Sequence, residues 1–384
     1  MDGRIIHDKI YVDRWEKCQV LECCYFMSKL PCEIPKQLNE QWIHPIYSTI
    51  VNITFLSKLS SVKHHLLKVL KFGEPKKISI GDFVFTVTAI DPDTLTGKII
   101  YHFSFVGTDC LYMDSALMSP SVLTNPYIVH LGNTKIIDTL YVDSPLLDLP
   151  VDINIDQADE QIINLLSSRK AVMPLELLGM EDLLVRIARK GHTVHIGRKR
   201  LLLLKLLGND RNFTKSLEVK LRVVESETSQ DIQKCFRRYI KNQVHHILVS
   251  PFYSLSEVFD LRKLGIHVIP YSDNTTSKAL SNILKIIKPK NIMDCNESNP
   301  KPDLLMNHLL ISRTNLSLES FYLINAQRLS LGSNVSPNLI TLVPDVPENI
   351  AHLYTDTQES FVPLATSSQV ASKDDENANY IKPI

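Results

Sequence analysis

The stretch from Cys24 to Tyr47, CYFMSKLPCEIPKQLNEQWIHPIY, limits the possible folds more than any other part of the chain. Its apolar start, Cys24 to Met27, has the length of a buried strand, and Pro31 and Pro35 end that strand in a turn. A short segment with Trp42, Pro45 and Tyr47 follows. A loop at a strand's end can aim several side chains at one point, and this one offers Lys29, Pro31, Cys32, Glu33 and Ile34. Only Cys32 and Glu33 among them carry metal-binding groups, and the Lys29 ammonium would oppose a cation.

The remaining chain divides by periodicity. Ser60 to Leu70 places Val62, Leu66, Leu67 and Leu70 on one helical face. Ile78 to Phe105 alternates as paired strands with a turn at Gly81-Asp82, and Cys110 to Met113 is a further short strand. After Leu140 to Ser144 the rhythm becomes βαβα. Gln157 to Leu166 is predicted helical, Ala171 to Leu175 a strand, Met180 to Lys190 a helix stopped by Gly191, His192 to Ile196 a strand, and Arg198 to Leu207 a helix ended by Gly208. This is the pattern of a doubly wound α/β unit. Strand, helix, strand and helix then recur at His246 to Ser250, Ser256 to Leu264, Ile266 to Tyr271 and Thr276 to Ile287, and these are expected to return to the first unit. From Gly332 onward Pro, Ser, Asn and Asp dominate, as in a mostly disordered tail.

Composition sets broad limits. A chain of 384 residues, 44% apolar, can bury a large core in two compact units. Lys plus Arg and Asp plus Glu are equal at 42 each, so any affinity for a polyanion must come from local patches. Seven irregularly spaced cysteines fit neither a disulfide framework nor a zinc motif and read as reduced thiols. The start, MDGRIIHDK, is too polar for a signal peptide, and Leu201 to Leu207, broken by Lys205, is too short to span a bilayer. A cytosolic or nuclear protein without a membrane partner is expected.

Five segments resemble those of the metallo-β-lactamase and β-CASP DNA nuclease family. The opening KIYVDRW with Asp13, the strand CYFMS and the segment W-x-x-P-x-Y are similar to the start of these enzymes. There the strand runs into S-H-x-H-x-D-H, the source of a dinuclear metal site. Here the same frame places Lys29, Pro31, Glu33 and Ile34 at the ligand positions. Ile90 to Gly97 resembles the family's D-A-N-H-C-P-G with Thr94 in place of the His, although it also reads as a polar turn. Leu111 to Leu117 resembles L-Y-T-G-D-F-R with Ser115 at the bridging Asp. Asp114 lies one residue earlier and would point away if the strand continued. Leu140 to Ser144 resembles L-Y-L-D-x-T and keeps Asp143, which could equally cap the next turn. Gly265 to Asn274 resembles H-V-I-P-Y-S-D-H, keeping Asp273 but ending in Asn274.

The resemblance runs from about Lys9 to about Met293 and implies an αββα metallo-β-lactamase sandwich with an inserted β-CASP α/β domain. The expected parts are 1–155 and 251–312 for the sandwich, 156–250 for the insert and 313–384 for the tail. Active relatives hold zinc, and with these substitutions no metal, cofactor or catalytic residue is expected. Each missing ligand removes charge and geometry that the others cannot supply. What the resemblance then implies is a catalytically inactive nuclear protein that binds DNA ends or damaged DNA, in interstrand cross-link repair or telomere protection. Repair or telomere proteins could dock on the tail, for example at Glu359 to Ala365. An active 5′ exonuclease with displaced ligands, or the inactive β-CASP subunit of an RNA-processing heterodimer, remain alternatives. Arg198, Lys199, Arg200, Arg237 and Arg238 lie in the insert and are the candidate DNA contacts, and another basic run holds Lys63, His64, His65, Lys68, Lys71, Lys76 and Lys77. Ordinary solvated faces would look the same.

Overall fold

The computed structural model describes residues 3–16, 22–31, 33–94, 97–114, 116, 119–147, 153–175, 178–225, 244–251, 258 and 261–296. The tail, the Glu359 to Ala365 stretch, Cys32, Ser115, Arg237 and Arg238 lie outside these residues.

Two mixed sheets face each other. The first has five strands in the order β1 (Arg4–His7), β2 (Ile10–Val12), β3 (Cys24–Phe26), β4 (Ile46–Thr49) and β5 (Leu67–Leu70). The second has six, in the order β17 (Asn291–Asp294), β10 (Thr139–Val142), β9 (Thr108–Asp114), β8 (Ile100–Phe105), β7 (Phe83–Ile90) and β6 (Pro75–Ile80). Their central strands are apolar on both faces, so alternate side chains feed two different cores. Phe26 of β3 meets Phe85, Tyr101 and Phe103 between the sheets, while Tyr25 and Met27 face the other way. On that outer side they pack with Phe55 and Leu56 of α1 (Ile50–Leu59). Across the second sheet, Leu111, Met113, Leu140 and Val142 cover α2 (Pro126–Thr134) and the helix at Ser277–Ile286. The result is an αββα sandwich. The two helices on the second sheet approach closely because Gly132 has no side chain: a Cβ there would stand 2.3 Å from the Ile286 carbonyl oxygen.

A third sheet is wholly parallel, in the order β13 (Phe213–Thr214), β12 (Val194–His195), β14 (Leu221–Glu225), β11 (Ala171–Leu175), β15 (His245–Val249) and β16 (Ile266–Ile269). Helices α3 (Ile155–Ser168) and α4 (Glu181–Arg189) contribute Ile162, Leu166, Leu183, Leu184 and Ile187 to its core. Helix α5 (Arg198–Leu206) turns Leu203 into the core that holds Phe55 and Leu56, which ties this layer to the sandwich. Helix α6 (Ser277–Ile286) begins where the chain re-enters the sandwich, with the Thr276 hydroxyl capping the Ala279 amide.

Two expectations are corrected. Ser60 to Leu70 is not a helix: a 3₁₀ turn at His64–Leu66 leads into β5. Leu67 and Leu70 would share a helical face, but as strand residues an odd number apart they enter different cores, one beside α1 and the other between the sheets. Parallel pairing with β4 supplies the backbone partners a helix would have used. The chain also re-enters the sandwich later than expected. Ile266–Ile269 pairs with β15 in the third sheet, and the return comes at Thr276, bridged to Leu146. Periodicity marks a strand but does not say which sheet it joins.

Arg200, a candidate DNA contact, is fully buried instead. Its Nε donates to Glu181 Oε1 at 2.9 Å, and its Nη1 lies 4.0 Å from Glu225 Oε1. It fastens α5 to α4 and β14, and a guanidinium engaged this way cannot reach solvent. Removing one partner of a buried ion pair leaves the other charge uncompensated, at a cost of about 3–5 kcal/mol. Urea unfolding should therefore show Arg200→Met destabilised by about that amount, and exposed Arg198→Met within about 0.5 kcal/mol of the parent chain.

Candidate functional site

Four strands end in aspartate, and the structure gathers these ends at one rim of the sandwich. Asp13 follows β2, Asp114 ends β9, Asp143 follows β10, and Asp294 ends β17. All four are nearly or wholly buried. Asp13 and Asp114 adopt left-handed backbone, with φ of 54° and 38°, a conformation that costs a non-glycine residue energy and concentrates at functional sites.

Asp114 faces the cluster because β9 does not continue evenly. Tyr141 pairs with Tyr112, but Val142 pairs with Asp114, so Met113 is an extra residue and the carboxylate turns by one position. An even strand would have pointed Asp114 away, as expected from the sequence. The bulge brings its Oδ2 to 2.5 Å from the Nζ of Lys29.

Lys29 is aimed by the turn after β3. The Ser28 amide donates to Asp13 Oδ1 at 2.8 Å, and the Ser28 hydroxyl donates to Oδ2 of the same carboxylate. The Ser28 carbonyl accepts from the Ile99 amide at 2.7 Å. One residue earlier, the Met27 carbonyl accepts from Ser48 and Tyr101 hydroxyls at 2.7 and 2.8 Å. The turn is thus fixed from three sides, and its ammonium enters the acidic cluster with the side chain only 27% exposed.

Electrostatics follow from this placement. Burial works against the Lys29 ammonium, but the carboxylates of Asp114 and Asp13 outweigh it and hold the lysine above its ordinary value. Burial, with repulsion from Asp114, pushes Asp13 up to about 6 even though Lys29 and Ser28 favour its ionised form. Asp143 is also pushed up, by burial and then by Asp114, against the hydrogen bonds from Thr275. The Thr275 amide donates to Asp143 Oδ2 at 2.9 Å, and its hydroxyl reaches both Asp143 Oδ1 and the Asp114 carbonyl. Burial raises Asp294 too, which accepts from the Ser144 hydroxyl and, at 2.8 Å, from the Asn296 amide.

A second buried lysine lies beside the first. Lys98 donates to Asp273 Oδ2 at 2.7 Å, and attraction to Asp273 keeps its ammonium charged despite burial. The two lysines are near enough to repel each other.

The positions that the family resemblance marks as ligands scatter. Glu33 is exposed, Pro31 is buried as packing, and Ile34, Thr94 and Asn274 are half-buried. The Asn274 amide donates to Ser272 Oγ at 3.1 Å, which closes a local turn. No group of three or more His, Cys, Asp or Glu side chains among the described residues is arranged to hold a metal ion. A divalent cation on Asp114 would need an oxygen about 2.0–2.2 Å away, in the space the Lys29 ammonium occupies. At about 3 Å separation and an effective dielectric near 20, the repulsion is on the order of 10 kcal/mol. The cluster does not fit a dinuclear metal centre. Lys98, Thr275 and Asp294 carry no site reading from the sequence, although the repeated tetrapeptides IYVD, LYMD, LYVD and NIMD mark the four clustered acids.

Asp13 gives this electrostatic account a readable signature. Its folded-state pKa lies above the ordinary 3.8, so its ionisation opposes folding, and its contribution is fully present below about pH 4 and is lost as pH rises through 6. Between pH 4 and 7, the stability of Asp13→Asn relative to the parent should rise by about 3 kcal/mol, the equivalent of roughly two pKa units. Denaturant midpoints across that range test this, and a difference independent of pH contradicts it.

The fold and this cluster can be set beside known proteins. No protein-family profile matches the chain. The 5′ exonuclease Apollo of Mus musculus is 26% identical over 310 residues, covering 78% of this chain and 56% of the relative. The 5′ exonuclease Apollo of Rattus norvegicus is 26% identical over 312 residues, with the same coverage, and that of Gallus gallus is 23% identical over 274 residues, covering 70% and 57%. The chain thus spans a little more than half the length of the curated relatives it matches. A solved protein of the metallo-beta-lactamase superfamily from Thermotoga maritima overlaps 56% of this chain at 14% identity and a TM-score of 0.19, too loose a superposition to bear on the fold. An αββα sandwich, a parallel third sheet and strand-end aspartates thus stand in a chain that is similar in sequence to three 5′ exonuclease Apollo proteins.

Proposed function

We propose that this chain is a non-hydrolysing, DNA-associated member of its family, a pseudo-nuclease that acts by binding. One observation carries the reading: the Lys29 ammonium, 2.5 Å from Asp114 and attracted by Asp13 and Asp143, takes the space a catalytic cation would need. Metal-assisted phosphodiester hydrolysis requires a cation that lowers the pKa of a water and stabilises the leaving oxygen. An ammonium paired to a carboxylate does neither. It has no open coordination position, and its charge is already committed.

The relatives' name, 5′ exonuclease, is the ground for a nucleic-acid end as the bound partner. The setting implied by the family resemblance is nuclear, at DNA ends or damaged DNA, in interstrand cross-link repair or telomere protection. Binding without cleavage would shield an end or hold repair or telomere proteins beside it. Exposed Arg198 and Lys199 at the start of α5 remain candidate phosphate contacts, whereas Arg200 belongs to the core. No helix among the described residues is long and apolar enough to cross a membrane.

The test is a paired assay on the full chain with a 5′-phosphorylated duplex. Binding should be unchanged by a chelator, and the labelled strand should stay intact in magnesium, manganese or zinc. Cleavage that a chelator stops would overturn the reading, most directly if Asp143→Asn also abolished it.

A further inference from the structure

We infer that the edge formed by β5 and β6 is a contact surface for a nucleic-acid phosphate backbone, separate from the acidic cluster. This rests on the DNA-associated reading above and says where the affinity comes from.

The first step is a charge comparison. The rim that would face a scissile phosphate carries Asp13, Asp114, Asp143, Asp273 and Asp294 against Lys29 and Lys98. Five carboxyl groups thus face two ammonium groups. A phosphate approaching this rim meets no net positive charge. Affinity for a polyanion must therefore arise elsewhere.

Among the described residues, Ser61 to Lys77 is a strongly basic exposed segment, with Lys63, Lys68, Lys71, Lys76 and Lys77, two histidines and a single acid, Glu74. Those five lysines are exposed. β5 is an edge strand of the first sheet and β6 an edge strand of the second, and the contact of Lys76 in β6 with Val69 in β5 puts these two edges on one flank of the sandwich. The chain between them is held in place: Phe72 bridges to Ala89, Lys76 Nζ lies 3.4 Å from the Val69 carbonyl oxygen, and the same ammonium sits 5.6 Å from the Tyr47 ring centroid. Tyr47 is the register partner of Lys68, so Lys68 and Lys76 are neighbours although they come from different sheets.

Little of this charge is spent internally. Lys71 and Glu74 form an exposed pair at 3.3 Å, which screening makes weak, and no carboxylate among the described residues pairs with Lys63, Lys68 or Lys77. Phe72, 41% exposed, stands among the lysines as a flat apolar group against which a base or sugar can pack. A fixed basic strip with an exposed ring matches a phosphate backbone, whose counterions it would release. Edge strands also carry lysine to block sheet-to-sheet association, and the experiment separates the two.

Binding of the full chain to a fluorescein-labelled, 5′-phosphorylated 20-base-pair duplex would be followed by anisotropy from low to moderate salt. Replacing Lys68, Lys71, Lys76 and Lys77 by Gln should weaken binding about tenfold or more and lower the slope of log K against log salt by about three. Replacing the same four by Arg should preserve both. Circular dichroism melting confirms that each variant is folded. Unchanged affinity and slope in the folded Gln variant overturn the inference. It also fails if that variant self-associates but binds DNA normally, since the lysines then guard the edges, or if only Arg198→Gln with Lys199→Gln reduces the slope. A parent chain that binds no DNA at low salt overturns this inference and the DNA-associated reading together, whereas a binding parent with an unaffected Gln variant leaves that reading standing.

Discussion

Carboxylates at the ends of adjacent strands repel one another, and burial strengthens that repulsion because little water is present to screen it. Asp13, Asp114, Asp143 and Asp294 are in this situation, and a cation among them offsets part of that repulsion. The chain supplies one of its own. The Lys29 ammonium, tethered through Ser28 to Asp13 and paired with Asp114, links β2, β3 and β9 across the two sheets. Lys98 with Asp273 does the same between the strand-connecting segment before β8 and the one before α6.

A covalently attached cation differs from a bound metal in two ways. It costs no loss of a free ion's motion. It also carries a single charge with no vacant coordination site. Asp13 and Asp143 consequently stay poorly compensated and shift upward, whereas a pair of divalent ions would hold such groups ionised. The site offers an incoming phosphate no excess positive charge. Basic residues on other surfaces then become the natural place to look for nucleic-acid contacts.

Much of this was legible in the sequence. The βαβα rhythm after Ser144 and the Gly81-Asp82 hairpin follow from local periodicity and turn chemistry, and both are present. That Lys29, Pro31 and Ile34 stand where the resembled motif has histidines, and Glu33 where it has aspartate, was equally plain. What escaped was decided by tertiary pairing. No propensity signals that β9 bulges at Met113, so Asp114 was expected to face away. Ser60 to Leu70 carries a helical pattern that a neighbouring strand overrides. Arg198, Lys199 and Arg200 are alike in sequence, and only the acids of α4 and β14 show that one of them is an internal clamp.

The occupancy of the aspartate cluster by a lysine is tested most directly by the unfolding temperature of the full chain in excess chelator, and again in excess zinc or manganese. A ligand that binds only the folded state raises that temperature, by an amount that grows with its concentration. The same midpoint in all three solutions is the predicted result. A midpoint that falls with chelator and climbs with metal, accompanied by stoichiometric metal in the purified protein, would contradict it.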